Sequence, residues 1–415
     1  MSELWQRFAT GSWLTRERLQ VYSLLMGGIC VAGMIGWVAL SDGLIDRNGK
    51  PLGTDFSSFY AAGSLVLEGK ASAAYDLGIH YARQQQLFGT ATPYYAWPYP
   101  PFFLFIAAPL AVLPYWLALV VWQAASFAFY LTVIGTILRR ARAGAAAWVW
   151  LAPAAVFPAV FVNLGHGQNG FLTAGLFGAA LCALRARPIL AGILFAMLAY
   201  KPQFAVVIPL ALLADGRWRT IVSAILAVAA LAAATTLAFG LEIWPAFAAS
   251  TEAFRKLLLE QGEVGFEKMQ SAFAAIRMWG GSLSLAYGVQ TALSLTVIAS
   301  TMWAWRRCED FDVKAAVLVL ATLLASPHTL DYDLMLLGPA IAFMVSAGYN
   351  HGFRRYEVSL LAGAWVTPLL ARSVAGAVAI PLGLLVTLAL LALALRRAID
   401  ASATATEDHR EIAQV

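Results

Sequence analysis

Tyr115–Leu138 reads YWLALVVWQAASFAFYLTVIGTIL, 24 residues without a charge. As an α-helix this run is about 36 Å long, against about 30 Å for the hydrocarbon core of a bilayer. Runs of 15 to 25 apolar residues recur along the chain and do not alternate, so they cross as helices and not as the strands of a β-barrel. The composition agrees. Of 415 residues, 60% are hydrophobic and 12% charged, against about 25% charged in soluble domains, and mean hydropathy is +0.71. The chain reads as an all-α polytopic membrane protein with a single membrane domain over 1–395 and a polar tail over 396–415.

A net charge of +5 does not point to nucleic acid, because the basic residues sit in short clusters between apolar runs and report topology. Cys30, Cys182 and Cys308 fall in or beside spans with no metal or disulfide spacing, and read as packing residues. The first 18 residues hold Arg7, Arg16 and Arg18 but no short apolar core with a cleavage site, so the first span is expected to stay as an anchor.

Firm spans fall at 20–41, 115–138, 146–163, 171–185, 220–241, 283–305, 313–327, 333–348 and 376–395. The stretch 189–214 is interrupted by Lys201-Pro202-Gln203, which predicts two short helices meeting around a wet or protein-lined cavity. Ser359–Ala371 is a short span ending at Arg372. Clusters at Arg7/Arg16/Arg18, Arg139/Arg140/Arg142, Arg185/Arg187, Arg217/Arg219, Arg306/Arg307/Lys314, Arg354/Arg355 and Arg396/Arg397/Arg410 then share the inner face. This gives about twelve crossings with both termini inside. Tyr99–Leu113 is broken by Pro100, Pro101 and Pro109 and is expected as a re-entrant or interfacial hairpin. No internal repeat is evident, which weakens a transporter reading.

Two outer loops are long, 42–114 and 242–282. In the first, Phe59, Ala62, Leu65 and Val66, then Tyr75, Ile79 and Ala82, recur at helical spacing, as in helices lying on the membrane surface. Asp55 precedes the first of these. It is either an N-cap or a carboxylate at the bilayer edge, basic enough to take a proton from a hydroxyl. Trp97, Tyr94, Tyr95, Tyr99, Tyr115 and Trp116 read as an interfacial aromatic belt. The charges of 242–282, mixed in sign, read as a solvated helix pair.

Two further clusters lie on the same face. Gly165-His166-Gly167-Gln168-Asn169-Gly170 opens a helix and is either a plain turn or an anion-binding one. Ser326-Pro327-His328-Thr329-Leu330-Asp331-Tyr332-Asp333 carries a histidine that alone would be a structural residue. Its convergence with Asp55, Gln168, Asn169, Lys201 and Arg372 raises the set above background. No phosphate-binding loop, zinc spacing or Gly-x-Ser-x-Gly appears.

In this order the clusters resemble the GT-C glycosyltransferases, specifically glycosyltransferase family 87, which includes polyprenol-phosphate-mannose-dependent mannosyltransferases. The matching pieces are Thr54-Asp55-Phe56, Tyr99-Pro100-Pro101-Phe102, Gly167-Gln168-Asn169, Lys201-Pro202-Gln203, and Ser326-Pro327-His328 with Asp333. The resemblance implies inverting transfer of a sugar, mannose foremost, from a polyprenyl-phosphate donor to a lipid or glycan acceptor on the outer face of the inner membrane, without a nucleotide sugar. It matches Asp55 to the catalytic base and His328 to a residue near the donor phosphate. Lys201 and Arg372 join His328 as phosphate donors, while Gln168, Asn169, Tyr99 and Asp333 line the substrate. Asp331-Tyr332-Asp333 spells a metal motif, but a lipid monophosphate needs no chelated diphosphate, so neither metal nor cofactor is assigned. A polysaccharide polymerase or ligase, and a multi-span transporter or flippase, are the rival readings.

Overall fold

A computed structural model describes residues 3–141 and 149–412, the last ten as backbone only. Arg142, the start of the expected 146–163 span and the Arg410 side chain lie outside the described residues. The described residues are mostly helical, and among them the only β pairing is three isolated bridges.

Among the described residues seven helices are long and apolar enough to cross a membrane: Arg16–Ala39, Tyr115–Leu138, Trp218–Phe239, Leu283–Arg307, Asp331–His351, Glu357–Val378 and Leu382–Ser402. Shorter apolar helices, Leu151–His166, Gly170–Ala183, Pro188–Tyr200 and Pro202–Ala214, lie where four of the other five spans were expected, and Phe311–Ala325 lies where the fifth was. The break at Lys201-Pro202 is present, with helices Pro188–Met197 and Val207–Ala214 on either side. One boundary differs. The span expected to end at Arg372 runs from Glu357 to Val378, and the next helix begins only at Leu382. Arg372 is exposed and the helix continues past it.

At the centre stands Phe311–Ala325, buried along nearly its whole length between the Leu283–Arg307, Leu337–His351 and Leu382–Ile412 helices. A helix apolar on every side belongs in a core. Its two early charges are neutralised there: Asp312 accepts from Arg140 Nε at 2.7 Å and Ser346 Oγ at 2.6 Å, and Lys314 Nζ meets Asp215 at 2.7 Å.

The first loop does not lie flat with its apolar face in lipid. Phe56–Leu67 buries Phe56, Phe59, Ala62 and Leu65 inside the protein, packed against the Leu104–Ala111 helix. The expected hairpin at 99–113 is a 3-10 turn, Pro101–Phe103, running into that helix. The close approach depends on Gly63, where a Cβ would stand 2.2 Å from the Ala107 carbonyl oxygen. Backbone cannot yield as a side chain can. Gly63→Ala is therefore expected to lower stability by about 1–3 kcal/mol, read as an earlier thermal unfolding of the solubilised protein; an unchanged melting point would mean the two helices part freely.

The aromatic group is not a belt. Trp97, Tyr99 and Tyr115 are buried, and Phe59 sits edge-on to Trp97, Tyr99, Phe103 and Trp122 with centroids 5.1–5.8 Å apart. Only Trp116 remains well exposed, at 59%. Interfaces and cores select the same large rings, and spacing alone does not separate them.

Candidate active site

Asp55 occupies the cap position of Phe56–Leu67, yet its side chain makes no capping bond. The carboxylate faces Gln168 instead: Nε2 of Gln168 donates to Oδ2 at 2.9 Å, and His166 Nδ1 lies 3.8 Å away. A true cap of this loop is Asp76, whose Oδ1 accepts from the Ile79 amide at 2.8 Å. The Asp55 side chain is 26% exposed, so it is neither sealed nor fully in water. Among the described residues its Oδ1 has no hydrogen bond.

Gly167 brings these partners together. It ends the Pro158–His166 helix in the left-handed conformation, φ 63°, and a Cβ there would stand 2.6 Å from the Cβ of Phe56. The turn thus closes onto the start of the Asp55 helix, and the Asp55 amide donates to the His166 carbonyl at 3.0 Å. Thr54 Oγ1 lies 2.8 Å from His166 Nδ1. Gln168 is itself held, its Oε1 accepting from Tyr99 Oη at 3.3 Å and from the Asn169 amide at 2.9 Å. Burial, then the Asp55 charge, holds the Tyr99 phenol well above its ordinary range, so it remains a donor.

Deeper in, Lys201 Nζ meets Asp333 Oδ1 at 2.5 Å, the side chains 5% and 2% exposed. The other oxygen of Asp333 accepts from the Leu330 amide at 3.0 Å. Both groups assigned from sequence to phosphate and substrate are therefore engaged with each other. His328 lies close by. Burial holds its imidazole below the ordinary range, so it is neutral, and its Nδ1 has no partner among the described residues. Asn169 is fully buried with both amide atoms unpartnered, although its carbonyl accepts from Thr173 Oγ1 at 2.9 Å. Buried polar atoms without partners are costly in a finished core. Those of His328 and Asn169 are available to a polar ligand.

The second loop is not a detached helix pair. The Gln270 amide donates to the Thr329 carbonyl at 2.7 Å and Ser271 Oγ to the Pro327 carbonyl at 2.7 Å, which stitches the loop to the His328 cluster. This brings in Lys268, which the sequence reading left among solvated charges. Its ammonium is half-buried and held below the ordinary range by burial and by the Arg372 guanidinium, and it also feels Asp331 and Asp55. Neither Lys268 nor Arg372 forms an ion pair or hydrogen bond among the described residues. The signal available in sequence was weak: Lys268 directly precedes Met269-Gln270-Ser271, a buried run in a charged loop.

The site is thus a partly exposed carboxylate, two cations without ion pairs among the described residues, of which Lys268 feels the Asp55 charge, and a buried polar cluster of Asn169, His328 and the Lys201–Asp333 pair. No three His, Cys, Asp or Glu side chains among the described residues are grouped as a metal site requires. The model for glycosyltransferase family 87 matches residues 97–327, more than half of the chain. The match takes in Tyr99, Gln168, Asn169, Lys201 and Lys268. No solved structure matches the chain.

Proposed function

The chain belongs to glycosyltransferase family 87, and from that premise we propose that this membrane glycosyltransferase is an inverting enzyme using a polyprenyl-phosphate sugar, mannose foremost, with a lipid or glycan acceptor. The observation that carries the reading is Asp55: a carboxylate at a helix cap, not used for capping, fixed through one oxygen and open at the other. In the proposed step Asp55 removes the proton from the acceptor hydroxyl as that oxygen attacks the anomeric carbon. The bond from that carbon to the phosphate oxygen breaks, and the polyprenyl phosphate leaves with the electron pair. Negative charge gathers on the phosphate. Lys268 and Arg372 stand ready to receive it, with His328 as a neutral donor and Asn169 toward the sugar hydroxyls. Lys201 we assign to holding Asp333 and its turn.

The topology we propose keeps about twelve crossings, the short helices included, a re-entrant Tyr99–Leu113, and the site on the outer face of the inner membrane. Cysteines placed at the exposed positions Lys70 and Glu263, one in each long loop, should label from outside in intact cells. Labelling only from the inner side would reverse the membrane orientation.

Incubating purified protein with labelled polyprenyl-phosphate sugars and an acceptor extract tests the activity directly. Product is expected from a polyprenyl monophosphate sugar; transfer only from diphosphate-linked donors would favour a polymerase or ligase. Lys268→Ala is expected to lower kcat/KM for the donor by roughly 10- to 100-fold, the value of one hydrogen bond to a charged group, with acceptor KM unchanged. An unaltered donor titration would remove Lys268 from the phosphate.

A further inference from the structure

The end of the protein remote from Asp55 holds a second site. Arg16–Ala39 touches the bundle through Ser23 and Gly27, and beside this contact lies an apolar cavity of about 470 Å³. Leu19, Tyr22, Met26 and Ile29, one stripe of that helix at helical spacing, form one wall, and Ile134 and Trp365 are on the other. Trp13 also lines a neighbouring pocket of about 540 Å³, formed with Leu4, Trp5, Arg7, Phe8 and Arg18. The two spaces therefore meet at one residue, apolar on the inner side and carrying two guanidinium groups on the outer. Among the described residues Arg7 is tied only to Glu3 of its own helix, and Arg18 donates to the Trp13 carbonyl, so both keep N–H groups for a ligand.

We propose that this composite pocket binds one anionic glycerophospholipid, its phosphate between Arg7 and Arg18 and an acyl chain in the cavity. From Leu19 to Ile29 the cavity descends about 15 Å, half of a hydrocarbon core of about 30 Å. That depth fits a lipid of the leaflet on the Arg18 side. It does not fit a donor whose phosphate must reach Asp55, because Asp55 follows the far end of the same 24-residue helix. An apolar gap of this size facing lipid has no reason to stay empty, since its walls lose dispersion contacts, and two arginines select the headgroup charge.

Native mass spectrometry of the detergent-purified full chain, titrated with phosphatidylglycerol, phosphatidylcholine and decaprenyl phosphate, tests this. One phosphatidylglycerol per chain is expected, preferred over phosphatidylcholine by roughly 30-fold for two arginines near the surface. The double variant R7Q/R18Q should bind the two lipids alike. Ala154→Phe or Ala362→Phe, which fill the cavity, should lose both lipids while the melting temperature holds or rises. Equal binding of the two phospholipids by the wild type, adducts indifferent to all these changes, or displacement of phosphatidylglycerol by decaprenyl phosphate would each overturn the proposal. If neither cavity-filling variant folds, R7Q/R18Q decides alone.

Discussion

Asp55→Asn should yield a folded protein whose transfer rate is lower by roughly 10²- to 10⁴-fold, the contribution of a positioned general base. Asn is nearly isosteric, and its amide oxygen still accepts from Gln168 Nε2, the bond that fixes the carboxylate at 2.9 Å. What it cannot do is take a proton at neutral pH. Capping does not confuse the result, because the Asp55 side chain makes no cap bond. Asp55→Ala should accordingly cost less stability than the ~1 kcal/mol of a lost cap. Turnover with labelled donor and the melting temperature separate the two roles. An Asn variant with normal turnover would leave the proposed mechanism without its base.

The second large effect is in stability. Lys201→Met strands the Asp333 carboxylate, 2% exposed, and breaking a buried pair from one side costs about 3–5 kcal/mol. Adding Asp333→Asn removes the orphaned charge while keeping an acceptor for the Leu330 amide. The double variant should regain most of the loss, with the coupling read from a double-mutant cycle. It should also still use the donor, since the charge of Lys201 is spent on Asp333. A double variant that is stable yet unable to use the donor would return Lys201 to the phosphate.

The apolar runs made the helices legible, and the cost of a lysine beside a proline located the break at Lys201. What pattern did not supply was pairing. Lys201 and Asp333 each read as free polar residues, and nothing in a linear string says that residues 132 positions apart neutralise each other. Lys268 was hidden for the opposite reason. In a loop of mixed charges it resembled its solvated neighbours; the bonds of the Gln270 amide and the Ser271 hydroxyl to the 327–329 turn, with the packing of Phe266–Lys268 on the Glu357–Val378 helix, bring it to Arg372. Asp55 was visible, but sequence physics leaned toward an N-cap, and it is the carboxylate turned away from its own helix that speaks against that reading.

The interrupted helix at Lys201 has a further consequence, for the bilayer itself. Pro188–Tyr200 is 13 residues, about 20 Å of helix, and it presents Ile189, Leu190, Ile193 and Met197 outward. Against a hydrocarbon slab of about 30 Å this face is some 10 Å short, a hydrophobic mismatch that the surrounding lipid relieves by thinning. Thinning there would lower the leaflet beside Lys201 toward the site. Under the proposed mechanism a lipid-borne phosphate would then reach Lys268 and Arg372 without leaving its own monolayer, and membrane thickness would become a variable of the reaction: short acyl chains would relax the dimple, and long ones would make it costly to form.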